Sequence, residues 1–122
     1  MKLEWQKFEY ENLDDAMSKK HCLYVFHHPD DGDNPFYIGK AKYFGPKQED
    51  GYKGSARYNA GYHHLLYGLI RSGFTLYIAE IGEKPFENAE KYEQELIYMW
   101  SPVRKQKIKH NRCAVETEKP WC

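Results

Sequence analysis

Two short apolar runs, Leu23-Tyr24-Val25-Phe26 and Phe36-Tyr37-Ile38-Gly39, flank the stretch His28-Pro29-Asp30-Asp31-Gly32-Asp33-Asn34-Pro35. So dense a cluster of turn formers ends one extended segment and reverses the chain into the next, which predicts an antiparallel hairpin. The symmetry of the loop predicts Tyr24 opposite Tyr37, a turn centred on Asp30-Asp31, and both rings on one face. Gly39 then lets a backbone or a ligand approach the strand end closely. Lys40 adds a mobile positive charge beside it. Two tyrosines, a glycine and a lysine at one strand end suit a phosphate.

The remaining chain supplies further elements. Residues 1–21 place Trp5, Phe8, Tyr10, Leu13 and Met17 at helical spacing, with Asn12 as the cap of a short turn through Asp14 and Asp15. Residues 42–54 form a glycine-rich loop with three lysines. A helix is predicted from a Ser55 N-cap to Gly73 at its C-terminal end, burying Tyr58, Tyr62, Leu65, Leu66 and Leu69. A second stripe carries Arg57, Gly61, His64 and Gly68, with Arg57 in the first turn, where free N–H groups favour an anion. Phe74–Ile81 reads as a third strand. A second helix is expected over about 86–100, stopped by Ser101-Pro102. Its inward stripe is Ala89, Tyr92, Leu96 and Trp100, with Ile97 at the edge. Glu93 falls inside that stripe, where a carboxylate is costly unless paired or bound to a cation. Glu90 and Glu95 read as surface charges. The expected fold is a single α+β domain: a small, mostly antiparallel three-stranded sheet flanked by helices, in the order β-β-α-β-α.

Composition excludes several classes. The 122 residues carry 18 Lys+Arg against 18 Asp+Glu, so any basic surface must come from local clustering. Such a cluster exists at the C-terminal side, where Arg104, Lys105, Lys107, Lys109 and Arg112 put five basic residues in nine. Phosphate-backbone contact is the functional reading of that run. Eleven tyrosines, six phenylalanines and three tryptophans provide the aromatic area for a core and argue against disorder. No apolar run approaches the roughly 20 residues of a membrane helix, and Met1–Trp5 has no signal-peptide character. Cys22, Cys113 and Cys122 are odd in number and lack Cys-x-x-Cys spacing, so a reducing, cytoplasmic setting is expected. The doublets His27-His28 and His63-His64 point apart on any regular element and make no chelating pair.

Taken in order, Tyr24, Tyr37-Ile38-Gly39, Arg57 and Glu93 on strand, strand, helix and helix resemble the GIY-YIG nuclease family. The run Tyr37-Ile38-Gly39-Lys40-Ala41-Lys42 is similar to that of the family's bacterial excision-repair nucleases, in their N-terminal nuclease domain. Ala89-x-x-x-Glu93-x-x-Leu96-Ile97 followed by Pro102 matches the family pattern that carries the metal-binding glutamate. The resemblance spans about residues 22–112. Only the tyrosine of Cys22-Leu23-Tyr24 matches the first motif, and Gly61 stands where many relatives have a histidine, leaving His64 for that role. The family's asparagine has its counterpart in Asn111, nine residues beyond Pro102.

The resemblance implies hydrolysis of DNA phosphodiesters, on double-stranded or structured DNA, with one Mg²⁺ or Mn²⁺ held by Glu93. Tyr24 would take the proton of the attacking water and Tyr37 would orient it. Lys40 and Arg57 would stabilise charge on the phosphate, and His64 would share the proton transfer. Gly39, Lys42, Arg104, Lys105, Lys107, Lys109 and Asn111 would contact nucleic acid, with Gly39 keeping the floor clear for a phosphate. With no separate DNA-binding domain, targeting would come from this domain itself, from a homodimer or from a partner. The alternative is a catalytically inactive nucleic-acid-binding or protein-interaction module on the same fold.

Overall fold

The strand that completes the sheet comes from the segment read as helical. In the computed structural model, which describes residues 1–45 and 63–122, Gln6–Phe8 (β1) pairs antiparallel with Thr75–Glu80 (β4). The sheet is four-stranded, not three-stranded, with order β1-β4-β2-β3, where β2 is Lys20–His27 and β3 is Tyr37–Tyr43. All three strand pairings are antiparallel. A three-residue strand leaves no readable period, and only Phe8 of β1 is buried, so the free edge of β4 decides the matter. The helical part of this region shrinks to a 3₁₀ turn, Tyr10–Asn12, and one short helix, Leu13–Ala16 (α1). Contrary to expectation, Asn12 does not cap α1 with its side chain; its Oδ1 reaches back to accept the Glu9 N–H at 2.8 Å and so closes the preceding 3₁₀ turn.

The β2–β3 hairpin forms with a register that differs from expectation by two residues. Tyr24 faces Gly39, and Phe26 faces Tyr37. Pro29–Asp31 winds into a 3₁₀ turn whose first N–H groups are capped by His28, Nδ1 of which accepts from Asp30 N at 3.1 Å. A slip of two keeps every side chain on its face, so hydrophobic patterning alone cannot choose between these registers. Packing chooses. A Cβ at position 39 would lie under 3.0 Å from Cζ, Oη and Cε1 of Tyr24, so glycine is the residue that lets the Tyr24 ring lie flat across its partner strand.

Helices cover both faces of the sheet. On one face, His63–Arg71 (α2) and α1 bury Leu66, Ile70, Leu13 and Ala16 against Phe8, Cys22, Tyr24, Phe26, Leu76 and Ile78. Leu65, expected in the buried stripe, is exposed; Leu66 and Ile70 carry the contact instead. Gly73, at φ +104°, ends this helix as expected, with Gly73 N–H bonded to Ile70 O and Phe74 N–H to Leu69 O. Tyr67 donates its hydroxyl to Asp14, tying α2 to α1, and that bond to a carboxylate pushes the phenol up to about 12. The expected helical positions Ser55, Arg57, Tyr58, Gly61 and Tyr62 lie outside the described residues.

On the other face, Ala89–Trp100 (α3) packs Leu96, Ile97 and Trp100 on Leu23, Val25, Ile38, Tyr77 and Ala79. A 3₁₀ turn at Pro85–Asn88 precedes it, and Ser101 in the left-handed region ends it before Pro102. The predicted stripe holds for Ala89, Leu96, Ile97 and Trp100, whereas Tyr92 and Glu93 are half-buried and Gln94 is buried.

Residues 101–122 are a strap. Val103 N–H bonds Pro35 O at 2.8 Å and Arg104 N–H bonds Phe36 O at 3.0 Å. The Gln106 amide then accepts from Ile38 N at 2.9 Å and donates to Ile38 O at 2.6 Å. The outer edge of β3 is thereby covered at its start, as far as Ile38. Farther on, Lys109 N–H bonds the buried Gln94 Oε1 at 2.7 Å, and Glu116 meets Met1 and Leu3. Trp121 closes the strap by stacking on His27, with ring centroids 4.8 Å apart, and edging against Trp100.

Candidate functional site

The motif residues divide between the two faces of β3. Odd-numbered Tyr37, Gly39 and Ala41 face α2, while Ile38, Lys40 and Lys42 face α3. Tyr24 and Tyr37 share a face, as expected, with ring centroids 6.2 Å apart. The Tyr24 ring is completely buried, packed also on Phe26 and Phe44. Burial distinguishes the two tyrosines. Tyr37, half-buried, is the motif phenol that solvent reaches, whereas Tyr24 buttresses it from below. The space above Gly39 is filled by Tyr24 and is not a phosphate floor.

Arg104 is a charged neighbour of Tyr37. Its guanidinium lies 5.0 Å from the ring centroid, a cation–π arrangement held by the strap's hydrogen bond to Phe36. The pairing joins residues more than sixty positions apart in the chain.

On the opposite face, Lys40 is exposed and close enough to Glu90 for its charge to help hold that carboxyl below the ordinary range. The larger cause is Lys109, whose ammonium donates to Glu90 and adds its own charge. The same bond holds the Lys109 ammonium above its ordinary range, with the Glu93 charge contributing. Lys40, Glu90, Glu93 and Lys109 thus form one electrostatic group where α3 meets the strap. Glu90 and Glu95, read as surface charges, are both strap anchors: Arg112 Nε lies 3.2 Å from Glu95 Oε1, and its guanidinium covers the Tyr98 ring at 4.0 Å.

The expected residues therefore fall into two groups, Tyr24 with Tyr37 on one face and, on the other, Lys40 and Glu93 linked through Glu90 and Lys109. Arg57 and the His64 side chain lie outside the described residues. Lys42 and Asn111 are exposed, with the Lys42 ammonium 5.9 Å from the Tyr43 ring. Gln94, Gln106 and Arg104 were missed as positioning residues. Isolated amides and an arginine in a basic run carry no local signal of a partner so distant in sequence. Burial pushes the Cys22 thiol up to about 12, so it is no nucleophile near neutrality.

No group of three or more His, Cys, Asp or Glu able to hold a metal occurs among the described residues. A single carboxylate such as Glu93 nonetheless suits Mg²⁺, which keeps its waters and takes one or two carboxylates together with substrate phosphate. No helix among the described residues is long and apolar enough to cross a membrane. No family model, curated protein or solved structure matches the chain.

Proposed function

We propose that this chain is a GIY-YIG-type endonuclease that hydrolyses DNA phosphodiester bonds with the help of one Mg²⁺ or Mn²⁺. The observation that carries the reading is the position of β3. The motif strand lies at the end of the sheet, beside β2, and the strap is bonded along its outer edge only as far as Ile38, leaving Lys40 and Lys42 exposed beyond it. Tyr37 lies on one face of that strand, and Lys40 lies on the other, where its charge and that of Lys109 act on Glu90, and Glu93 acts on Lys109. A duplex lying on this rim of the sheet meets both groups.

Within this reading Tyr37, as the phenolate, takes the proton of the attacking water and becomes the neutral phenol, and the Arg104 guanidinium over its ring is the cation that faces the phenolate. Tyr24 fixes the position of the Tyr37 ring. Lys40 donates to the phosphate as negative charge accumulates there. Glu93 would hold the cation, which would supply Lewis-acid stabilisation of the charge that builds on the phosphate. A nicking assay on supercoiled plasmid with Mg²⁺ tests the proposal. Wild type nicks, and Glu93→Gln and Tyr37→Phe each slow nicking by about 10²–10⁴-fold. Nicking by Glu93→Gln at the wild-type rate, or none by wild type under any divalent cation, sinks the reading.

One observation favours a second reading. The sheet separates α3, which carries Glu93, from the tyrosine pair, as suits a DNA-binding module without hydrolysis. Salt-dependent duplex binding without nicking selects it.

A further inference from the structure

The basic run that looks uniform in sequence is divided in two by the fold. Lys109 and Arg112 are occupied: Lys109 is bonded to Glu90 through its ammonium and to Gln94 through its backbone. Arg112 is bonded to Glu95 and to Lys109 O, and covers Tyr98. Arg104, Lys105 and Lys107 are exposed and have no carboxylate partner among the described residues.

We propose that Arg104, Lys105 and Lys107 are a phosphate track for one strand of a DNA duplex, and that Lys109 and Arg112 are pins that fix the track and take no part in binding. The proposal rests on the DNA reading given above and assigns the surface that serves it. Three features support it. The track is tied to β3, because residues 103 and 104 through their backbone and 106 through its side chain bond residues 35, 36 and 38 in a one-for-one advance parallel to β3. Little ordering of the chain is then left to oppose binding. An extended run from 104 to 107 spans about 10 Å, the axial length of about three phosphates of one DNA strand. The track also begins at Tyr37, over which Arg104 sits, and leads toward Lys40, whose charge and that of Lys109 act on the same Glu90. Phosphates laid along it arrive between the two motif groups. The occupied pair removes two positive charges from the rim while holding the strap in place, so binding charge and structural charge are carried by different residues.

Fluorescence anisotropy of a short labelled duplex, titrated across salt concentration with EDTA present, separates the two sets. Replacing Arg104, Lys105 or Lys107 by Ala lowers the slope of log K against log salt by about 0.9 each, and the triple variant lowers it by about 2.7. Lys109→Ala and Arg112→Ala leave the slope at the wild-type value, and circular dichroism checks that every variant is folded. An unchanged slope in the folded triple variant overturns the track. So does a drop for Lys109→Ala equal to that for Lys105→Ala. The outcome is independent of catalysis: a wild type that binds with this slope pattern but never nicks ends the nuclease reading and leaves the track standing.

Discussion

Gly39 shows how a single residue can have a packing reason that looks like a chemical one. A glycine after a tyrosine and before a lysine suggests room for a ligand, yet the room is taken by Tyr24, three ring and hydroxyl atoms of which would lie under 3.0 Å from an added Cβ. Tyr24 is itself fully buried and packs against Phe26, Phe44 and Tyr37. Gly39→Ala is therefore expected to destabilise the domain by about 3 kcal/mol, at the upper end of core overpacking. The cost falls when Tyr24 is shortened. Urea denaturation of Gly39→Ala, Tyr24→Leu and the double variant measures this as a coupling energy. Additive effects would mean that the two residues do not compete for the same space.

At the scale of elements, the strap and α3 are joined by charge as well as by backbone bonds. The Glu90 carboxyl is held below its ordinary value of 4.5, chiefly by its hydrogen bond to Lys109. A depressed acid stabilises the folded state fully above its ordinary value, and that contribution is lost as pH falls through the lowered one. Lys109 is held above its ordinary 10.5, so its contribution is complete below that pH and disappears as pH rises through the raised value. Docking of the strap on α3 is accordingly expected to be uniform from about pH 5 to pH 10 and to weaken on both sides. Amide hydrogen exchange at Lys109, whose N–H is bonded to Gln94, reports it. In Glu90→Gln the acid limb should vanish; its persistence would assign acid loosening to other carboxylates. Both side chains are exposed, and salt should flatten the profile.

At the scale of the whole molecule, the described residues form one sheet with a core on each face, and the strap belongs to the second of them. Trp121 touches β2 through His27, β4 through Tyr77 and α3 through Trp100, and its Nε1 donates to Asp33 O at 3.0 Å. Trp5 joins the same cluster through Trp100 and donates its Nε1–H to Thr117 Oγ1 at 2.8 Å. Strap and N-terminal segment therefore hold each other against the sheet. Trp121→Ala is expected to cost about 3 kcal/mol, the low end for a tryptophan truncation because the ring is only half-buried. Thermal unfolding measures the loss. Limited proteolysis should then cut within 113–122 before the sheet unfolds, and a variant as stable as wild type would mean that the strap rests on α3 alone.

Elements that carry their own local signal were legible in the amino-acid sequence. The hairpin about Pro29–Asp31, the end of α2 at Gly73, the stop at Ser101-Pro102 and the placing of both tyrosines on one face follow from turn chemistry and from a period of two. Helical spacing also singled out Glu93 as a carboxylate at an unusual place. Features that depend on partners remote in the chain were left to tertiary packing. The register of Tyr24 on Gly39, the strand β1 on the edge of β4, and the burial of Tyr24 rather than Tyr37 are of this kind. So is the sorting of one basic run into paired and unpaired charges. A two-residue slip, a three-residue strand and an arginine's choice between a carboxylate, an aromatic ring and water all leave local patterning unchanged. Their energies come from surfaces that meet only once the sheet, α3 and the strap have packed.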